Sequence, residues 1–229
     1  EIRLSLVGSE MCIRDRGEAE APVADDAVAI AGSEGGAGAS ENADALPVAR
    51  QQEAVMLTPV ERLAAKADGK QRELVENQRG ITYFGLFGPY LAGAKKIVVE
   101  DAYVRKPYQL RNLAEFLEML LRCKNPDEDV AVHLVTGHNE PGFVEAQLNG
   151  LNELASTFSQ LGVNLTYEFR DTLHDRSITA DTGWEILPGR GLDIFQKFVD
   201  GDWLNPLLRH QQLRRVKECK VTYQRVSEK

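Results

Sequence analysis

From Tyr83 onward the chain changes repeatedly between two hydrophobic periods. Tyr83 to Leu91 is a short apolar stretch ended by Gly93, which predicts a short helix. KKIVVED (95–101) is a brief apolar run bounded by charges, as a buried strand would be. Pro107 suits a first helical turn. Leu110, Leu113, Phe116, Leu117, Leu120 and Leu121 follow at helical spacing and predict an amphipathic helix to about Lys124. VAVHLVT (130–136) reads as a second buried strand. Over 143–161, Val144, Leu148, Leu151, Leu154 and Phe158 fall on one helical stripe. VNLTYEFR (163–170) alternates Val163, Leu165, Tyr167 and Phe169 with polar residues, so this strand has one wet face. Ile178 and Trp184 to Leu187 predict short strands around Thr182-Gly183, and residues 191–198 a helical turn. CKVTYQRV (219–226) alternates again and is expected to close the sheet. Strands alternating with helices give an α/β class: a mixed sheet with crossover helices.

Before residue 80 this patterning is absent. The 229 residues carry 27 Lys+Arg and 35 Asp+Glu, a net charge of −8. Residues 1–80 hold 9 of the basic and 15 of the acidic side chains, and residues 81–229 hold 18 and 20. Most of the excess negative charge therefore lies outside the patterned region. Residues 17–57 are acidic and rich in Ala and Gly, too poor in apolar surface to offset their ordering entropy, and are expected to be a disordered linker. Residues 58–80 form a lead-in, with a short helix interrupted at Asp68-Gly69. The first 16 residues, EIRLSLVGSEMCIRDR, match no targeting signal and resemble translated sequencing-adapter read-through. On that reading Cys12 is not native, and the natural chain continues upstream of Gly17 as part of something larger.

The totals exclude several classes. No run of 18 apolar residues predicts a membrane-spanning helix. Glycine has no three-residue period. Three cysteines fit a reducing compartment, and a cytoplasmic location is expected. Residues 81–229 are numerous enough to bury roughly 68–70% of their unfolded surface as a self-standing domain.

The sharpest local pattern is His174-Asp175-Arg176-Ser177-Ile178-Thr179-Ala180-Asp181. Its H-x-R-x4-D spacing is one substitution from the H-x-K-x4-D signature of the phospholipase D superfamily. In that chemistry a histidine attacks phosphorus, a cation holds phosphate oxygens and the acid orients the imidazole. His174, Arg176 and Asp181 are thus the catalytic candidates. Arginine for lysine keeps anion binding through its planar fork but shifts the phosphate relative to His174. One copy of the motif requires a homodimer to build a two-copy site. Arg105, Lys106 and Arg111 follow the 95–101 strand, where open α/β sheets place their ligand crevices, and Asp101 and Tyr103 stand just before them. Gly189-Arg190-Gly191 sets one arginine between two flexible residues, as a ligand-approach loop or a tight turn. From Arg209 to Lys229 the local net charge is +5, either a solvated face or a surface for anionic lipid or nucleic acid. GPYLAGAK (88–95) lacks the Gly-Lys-Ser/Thr of a phosphate loop. His133 and His138 lie five apart without metal-ligand company, and Cys123 and Cys219 have no catalytic context. No cofactor or metal is expected.

Together, VEDAYVRKPYQLRNLAEFLEML (99–120), LHDRSI (173–178) and GWEILPGRGLDIFQK (183–197) resemble the C-terminal phospholipase D-like domain of the MIT-domain-containing protein 1 family, over about residues 80–226. The resemblance implies a phospholipase D-like α/β fold that dimerises, has lost the catalytic signature, and binds acidic phospholipids peripherally through basic residues. Arg105, His174, Arg176 and Arg190 match the family motifs position by position. Residues 17–80 do not match the helical MIT bundle that precedes the domain in eukaryotic members. A similar domain ends bacterial Lon-related ATPases of BREX-type phage defence, an arrangement the acidic linker fits. The function expected is a non-catalytic module that binds phosphate groups or an assembly partner, with Arg105, Arg111, His174, Arg176 and Arg190 as the anion site. A dimeric phosphodiesterase or nuclease using His174 is the first alternative, and a purely structural oligomerisation or docking domain the second.

Overall fold

A computed structural model describes residues 57–197 and 205–226. The adapter-like segment 1–16 and almost all of the acidic linker lie outside the described residues. Seven strands form one mixed sheet: β1 (Arg72–Leu74), β2 (Lys96–Asp101), β3 (Val130–Thr136), β4 (Val163–Phe169), β5 (Arg176–Ala180), β6 (Trp184–Pro188) and β7 (Cys219–Arg225), in the order β1-β7-β6-β5-β2-β3-β4. β2, β3 and β4 run parallel, and every other pairing is antiparallel. The parallel strands are joined by the two long helices, α4 (Pro107–Leu121) and α5 (Val144–Ser159). Both crossovers step in the same direction across the sheet, so their right-handedness puts both helices on one face.

That face is the core. Ile97 and Val99 of β2, Val132 and Leu134 of β3, and Ile178 and Ile186 of the β5–β6 hairpin are buried against Leu113, Phe116, Leu117 and Leu120 of α4 and Leu151 of α5. The opposite face keeps Lys96, Val98, Ala131, Asn164 and Thr166 exposed. The expected wet face of 163–170 is therefore common to the neighbouring strands.

Four local expectations are corrected. Tyr83–Leu91 is two single-turn helices, α2 (Tyr83–Leu86) and α3 (Gly88–Leu91), because Gly88-Pro89 breaks the turn: proline has no N–H to donate. Residues 191–197 are not helical. Phe195 bridges Val216, Gln196 N donates to Arg215 O and Lys217 N to Ile194 O, and the buried side chains of Ile194 and Phe195 anchor the segment. β7 does not close the sheet, since β1 pairs outside it through Arg72↔Val221. The lead-in holds that strand as well as a helix, α1 (Pro59–Ala64), which begins with a reciprocal Thr58–Glu61 capping box.

Asp68, expected to interrupt a helix, organises this corner. Its carboxylate accepts from Lys70 N at 3.0 Å, from the Tyr90 hydroxyl at 3.0 Å and from Arg72 at 2.8 Å. The Arg72 guanidinium and the Lys70 amide hold the carboxyl down to about 2. Because the folded value lies below the ordinary one, this stabilisation is complete above about pH 4 and is lost as pH falls through about 2. We expect the Asp68 carboxyl resonance to titrate with a midpoint near 2 in the native protein, whereas a midpoint near the ordinary aspartate value would show that the three bonds do not form.

Candidate functional site

The polarity of the strands decides which sequence candidates meet. β5 runs against β2 with Asp101↔Arg176 in register, and β6 runs against β5, so its C-terminal loop, 189–191, returns to the same end. β7 begins there too. The C-terminal end of the parallel strands thus gathers Tyr103 and Arg105, Arg176, Arg190, and His138 after β3.

Asp101 is the hub of this end. It is 3% exposed, accepts from Tyr103 N at 3.1 Å and Leu192 N at 2.9 Å, and stands 3.7 Å from Nε of Arg176. Burial raises its pKa, opposed by the two amides and by Arg176. Gly191, with φ +61°, lies directly on this carboxylate: a Cβ there would stand 2.6 Å from the carboxyl carbon. The freedom of the Gly-Arg-Gly turn serves close approach to the protein's own buried acid.

Three arginines are anchored on one side only. Arg105 donates from Nε to Ala102 O at 2.6 Å, and Arg190 from Nε to Glu218 O at 3.0 Å. Arg176 faces Asp101 through Nε and donates from one terminal nitrogen to Gly189 O at 3.1 Å. The terminal nitrogens of Arg105 and Arg190, and the second of Arg176, have no hydrogen-bond partner among the described residues. The guanidinium carbons of Arg176 and Arg105 lie 4.4 and 5.4 Å from the centre of the Tyr103 ring, so this half-exposed aromatic holds two cations beside it. Gly137 makes room for Arg105, since a Cβ would stand 3.0 Å from its Cζ. Just before it, Thr136 carries a buried hydroxyl without a hydrogen-bond partner among the described residues.

The other candidates go elsewhere. Asp181 lies past the far end of β5, where its carboxylate accepts from Lys95 N at 3.1 Å, so it cannot orient His174. An extended strand rises about 3.3 Å per residue, which separates the H-x-R pair from the acid by the length of the sheet. His174 is exposed and makes no hydrogen bond or ion pair with a described residue. His138 does have an acid beside it: its Nδ1 lies 3.0 Å from Asp171, and its ring stacks on Phe169. Arg111 is exposed on the second turn of α4, and Lys106 lies 3.9 Å from Glu140. Much of the basic C-terminal charge is used internally: Arg214 is buried on Glu115, Arg225 covers Trp184, and Lys217 pairs with Asp193 at 2.8 Å. His133 contacts Thr166 on the open sheet face. Burial pushes the Cys123 thiol up to about 12 and raises that of Cys219 as well. No described helix is long and apolar enough to cross a membrane.

Sequence comparison places this arrangement among known proteins. The family model described as a phospholipase D-like domain at the C-terminus of MIT matches residues 80–225. MIT domain-containing protein 1 of Mus musculus is 38% identical over 136 residues, which is 58% of this chain and 54% of that protein. The chain thus spans about half the length of that relative. The family match covers the whole sheet except its short outer strand, and most of the chain: the protein belongs to the family of phospholipase D-like domains at the C-terminus of MIT.

Proposed function

We propose that this domain is a non-catalytic binding module for phosphate groups, with acidic phospholipid headgroups as its ligand class. The observation that carries the reading is that Arg105, Arg176 and Arg190 converge on one end of the sheet, Arg105 and Arg190 fixed through Nε and Arg176 through one terminal nitrogen, which leaves each at least one terminal nitrogen to meet phosphate oxygens. Fixing the guanidinium groups beforehand removes much of the ordering cost of binding. Hydrolysis is not favoured, because among the described residues no acid orients His174 and Asp181 is engaged at the other end. We further propose that the module sits on a longer chain, as in its mouse relative or in the Lon-related arrangement, which sequencing the gene upstream of residue 17 would establish.

The test is titration of the full chain with glycerophosphoserine and, separately, with short DNA. Arg105→Ala and Arg176→Ala should each weaken glycerophosphoserine binding about 10–100-fold, the size of one lost charged hydrogen bond. Asp181→Ala should leave it unchanged. Wild-type affinity in both arginine variants would falsify the anion site, and tighter binding of DNA would reassign its ligand.

A further inference from the structure

His138 stands at the arginine-bearing end with a support of its own. It follows β3 by one residue, Gly137, and that glycine is crowded by the head of Arg105: a Cβ there would lie 2.2 Å from a terminal nitrogen of the arginine. Asp171, just after the neighbouring strand β4, holds the histidine twice. Its carboxylate accepts from His138 N at 2.9 Å, and its two oxygens lie 3.1 and 3.0 Å from Nδ1 of the ring. These contacts, helped by the Arg105 charge, hold the Asp171 carboxyl below the usual carboxylate range. A carboxylate only accepts, so the proton of a neutral ring sits on Nδ1 and its lone pair on Nε2. The ring lies against Phe169, with centroids 4.2 Å and planes 17° apart, which fixes its orientation. Nε2 has no hydrogen-bond partner among the described residues. Other charges nearby are occupied or apart. Arg170 pairs with Glu100 and Glu168, and Glu140 faces Lys106. His174 and Asp175, farther along the loop that carries Asp171, make no hydrogen bond or ion pair with His138. Asp171 and Arg105 are thus the charges that His138 meets.

We propose that His138 is a fourth binding residue of the phosphate site and contributes only as imidazolium, so that the site takes up a proton together with its anion. The inference rests on the phosphate-binding reading above and adds a dependence on pH to it. A neutral ring offers a phosphate oxygen only the lone pair of Nε2, which repels it. A protonated ring offers an N–H and a positive charge instead, and a charge-assisted bond takes the place of the repulsion. Imidazole is the side chain whose charge changes between about pH 5 and 8. While the site is empty, Arg105 opposes a second positive charge beside it. An arriving phosphate offsets that opposition. Proton and anion therefore favour each other's binding, and the coupling is reciprocal. Its sign is fixed: affinity rises as pH falls. Asp171, held ionised by its own contacts, keeps the ring in one orientation in both states.

Calorimetric titration of the full chain with glycerophosphoserine at about pH 5.5 and about pH 8 tests the coupling. That ligand is a phosphodiester, and its phosphate carries one charge throughout the range. Wild type should bind about tenfold more tightly at the lower pH, the size of one charge-assisted hydrogen bond. His138→Gln, which can still donate to Asp171 but cannot gain a charge, should bind at both pH values as wild type does at the higher one. His174→Gln should keep the gain, which separates His138 from the other histidine of this end. Arg105→Ala should weaken binding at both pH values. At about pH 6.5, buffers of different ionisation enthalpy should reveal proton uptake on binding by wild type and none by His138→Gln. Equal wild-type affinity at the two pH values, a His138→Gln variant that keeps the gain, or its loss in His174→Gln would each overturn the role of His138 and leave the arginine site standing. Absence of binding by wild type at both pH values would overturn the phosphate site itself, and the inference with it.

Discussion

Glu115→Ala should destabilise the domain by about 3–5 kcal/mol, the cost of removing one partner from a buried ion pair. Glu115 accepts from Arg214 at 2.9 and 3.0 Å and from Gln211 at 2.8 Å. Arg214 is only 4% exposed and lies over the Phe195 ring. Burial already lowers its pKa, and the Glu115 carboxylate opposes that shift. The pair also fastens the segment 206–214 to α4, and Gln211 in turn accepts from Tyr83 N at 2.8 Å. Tyr83 is fully buried and donates its hydroxyl to Leu192 O, whose own amide serves Asp101. Breaking the pair should therefore lower the melting temperature by on the order of 10 °C. Glu118→Ala, an exposed change one turn along the same helix, should shift stability by no more than about 0.5 kcal/mol. Calorimetry of the two variants decides the matter: equal melting temperatures would show that the pair contributes nothing. Replacing Glu115 and Arg214 together by leucine should restore much of the loss, because neither charge is then stranded.

Gly191→Ala should remove phosphate binding and cost about 2–5 kcal/mol. The left-handed backbone costs an L-residue about 1–2 kcal/mol. The new methyl would also press on Asp101, whose carboxylate cannot retreat without giving up Leu192 N and Tyr103 N, at about 1–3 kcal/mol for a stranded buried group. Arg176 faces the same carboxylate, and Arg190 is the neighbouring residue, so two of the three arginines would be displaced. Because the conflict is with one side chain, Asp101→Ala should relieve it, and the two changes should be strongly non-additive. Urea unfolding of the four proteins measures this coupling. Simple additivity would mean that the turn and the acid do not meet.

The sequence was most readable where one physical pattern dominated. β3 begins and ends where its apolar run does, and α4 begins at Pro107 as expected and stops at Leu121, three residues early. β1 was hidden because three residues with a single buried leucine make no period. Ile194 and Phe195 imitated a helical turn because two adjacent buried side chains do not specify their backbone. For the candidate site, strand-end reasoning pointed to Arg105, the H-x-R spacing to Arg176 and the Gly-Arg-Gly turn to Arg190, and the fold sets all three at one end of the sheet. Motif spacing failed for Asp181, because seven residues that look close in sequence are drawn out along a strand. The His138–Asp171 contact joins residues 33 apart, and only the parallel register of β3 and β4 brings them together.

The antiparallel half of the sheet separates handle from blade. The hairpin tip at Thr182-Gly183 and the turn at Gly93 both lie at the end remote from Arg105, Arg176 and Arg190, with α1 packed beside Gly93. A reporter or an affinity tag grafted into the hairpin tip would project away from whatever the arginines grip. The protein can thus be immobilised by that tip with the end that carries Arg105, Arg176 and Arg190 presented to solution.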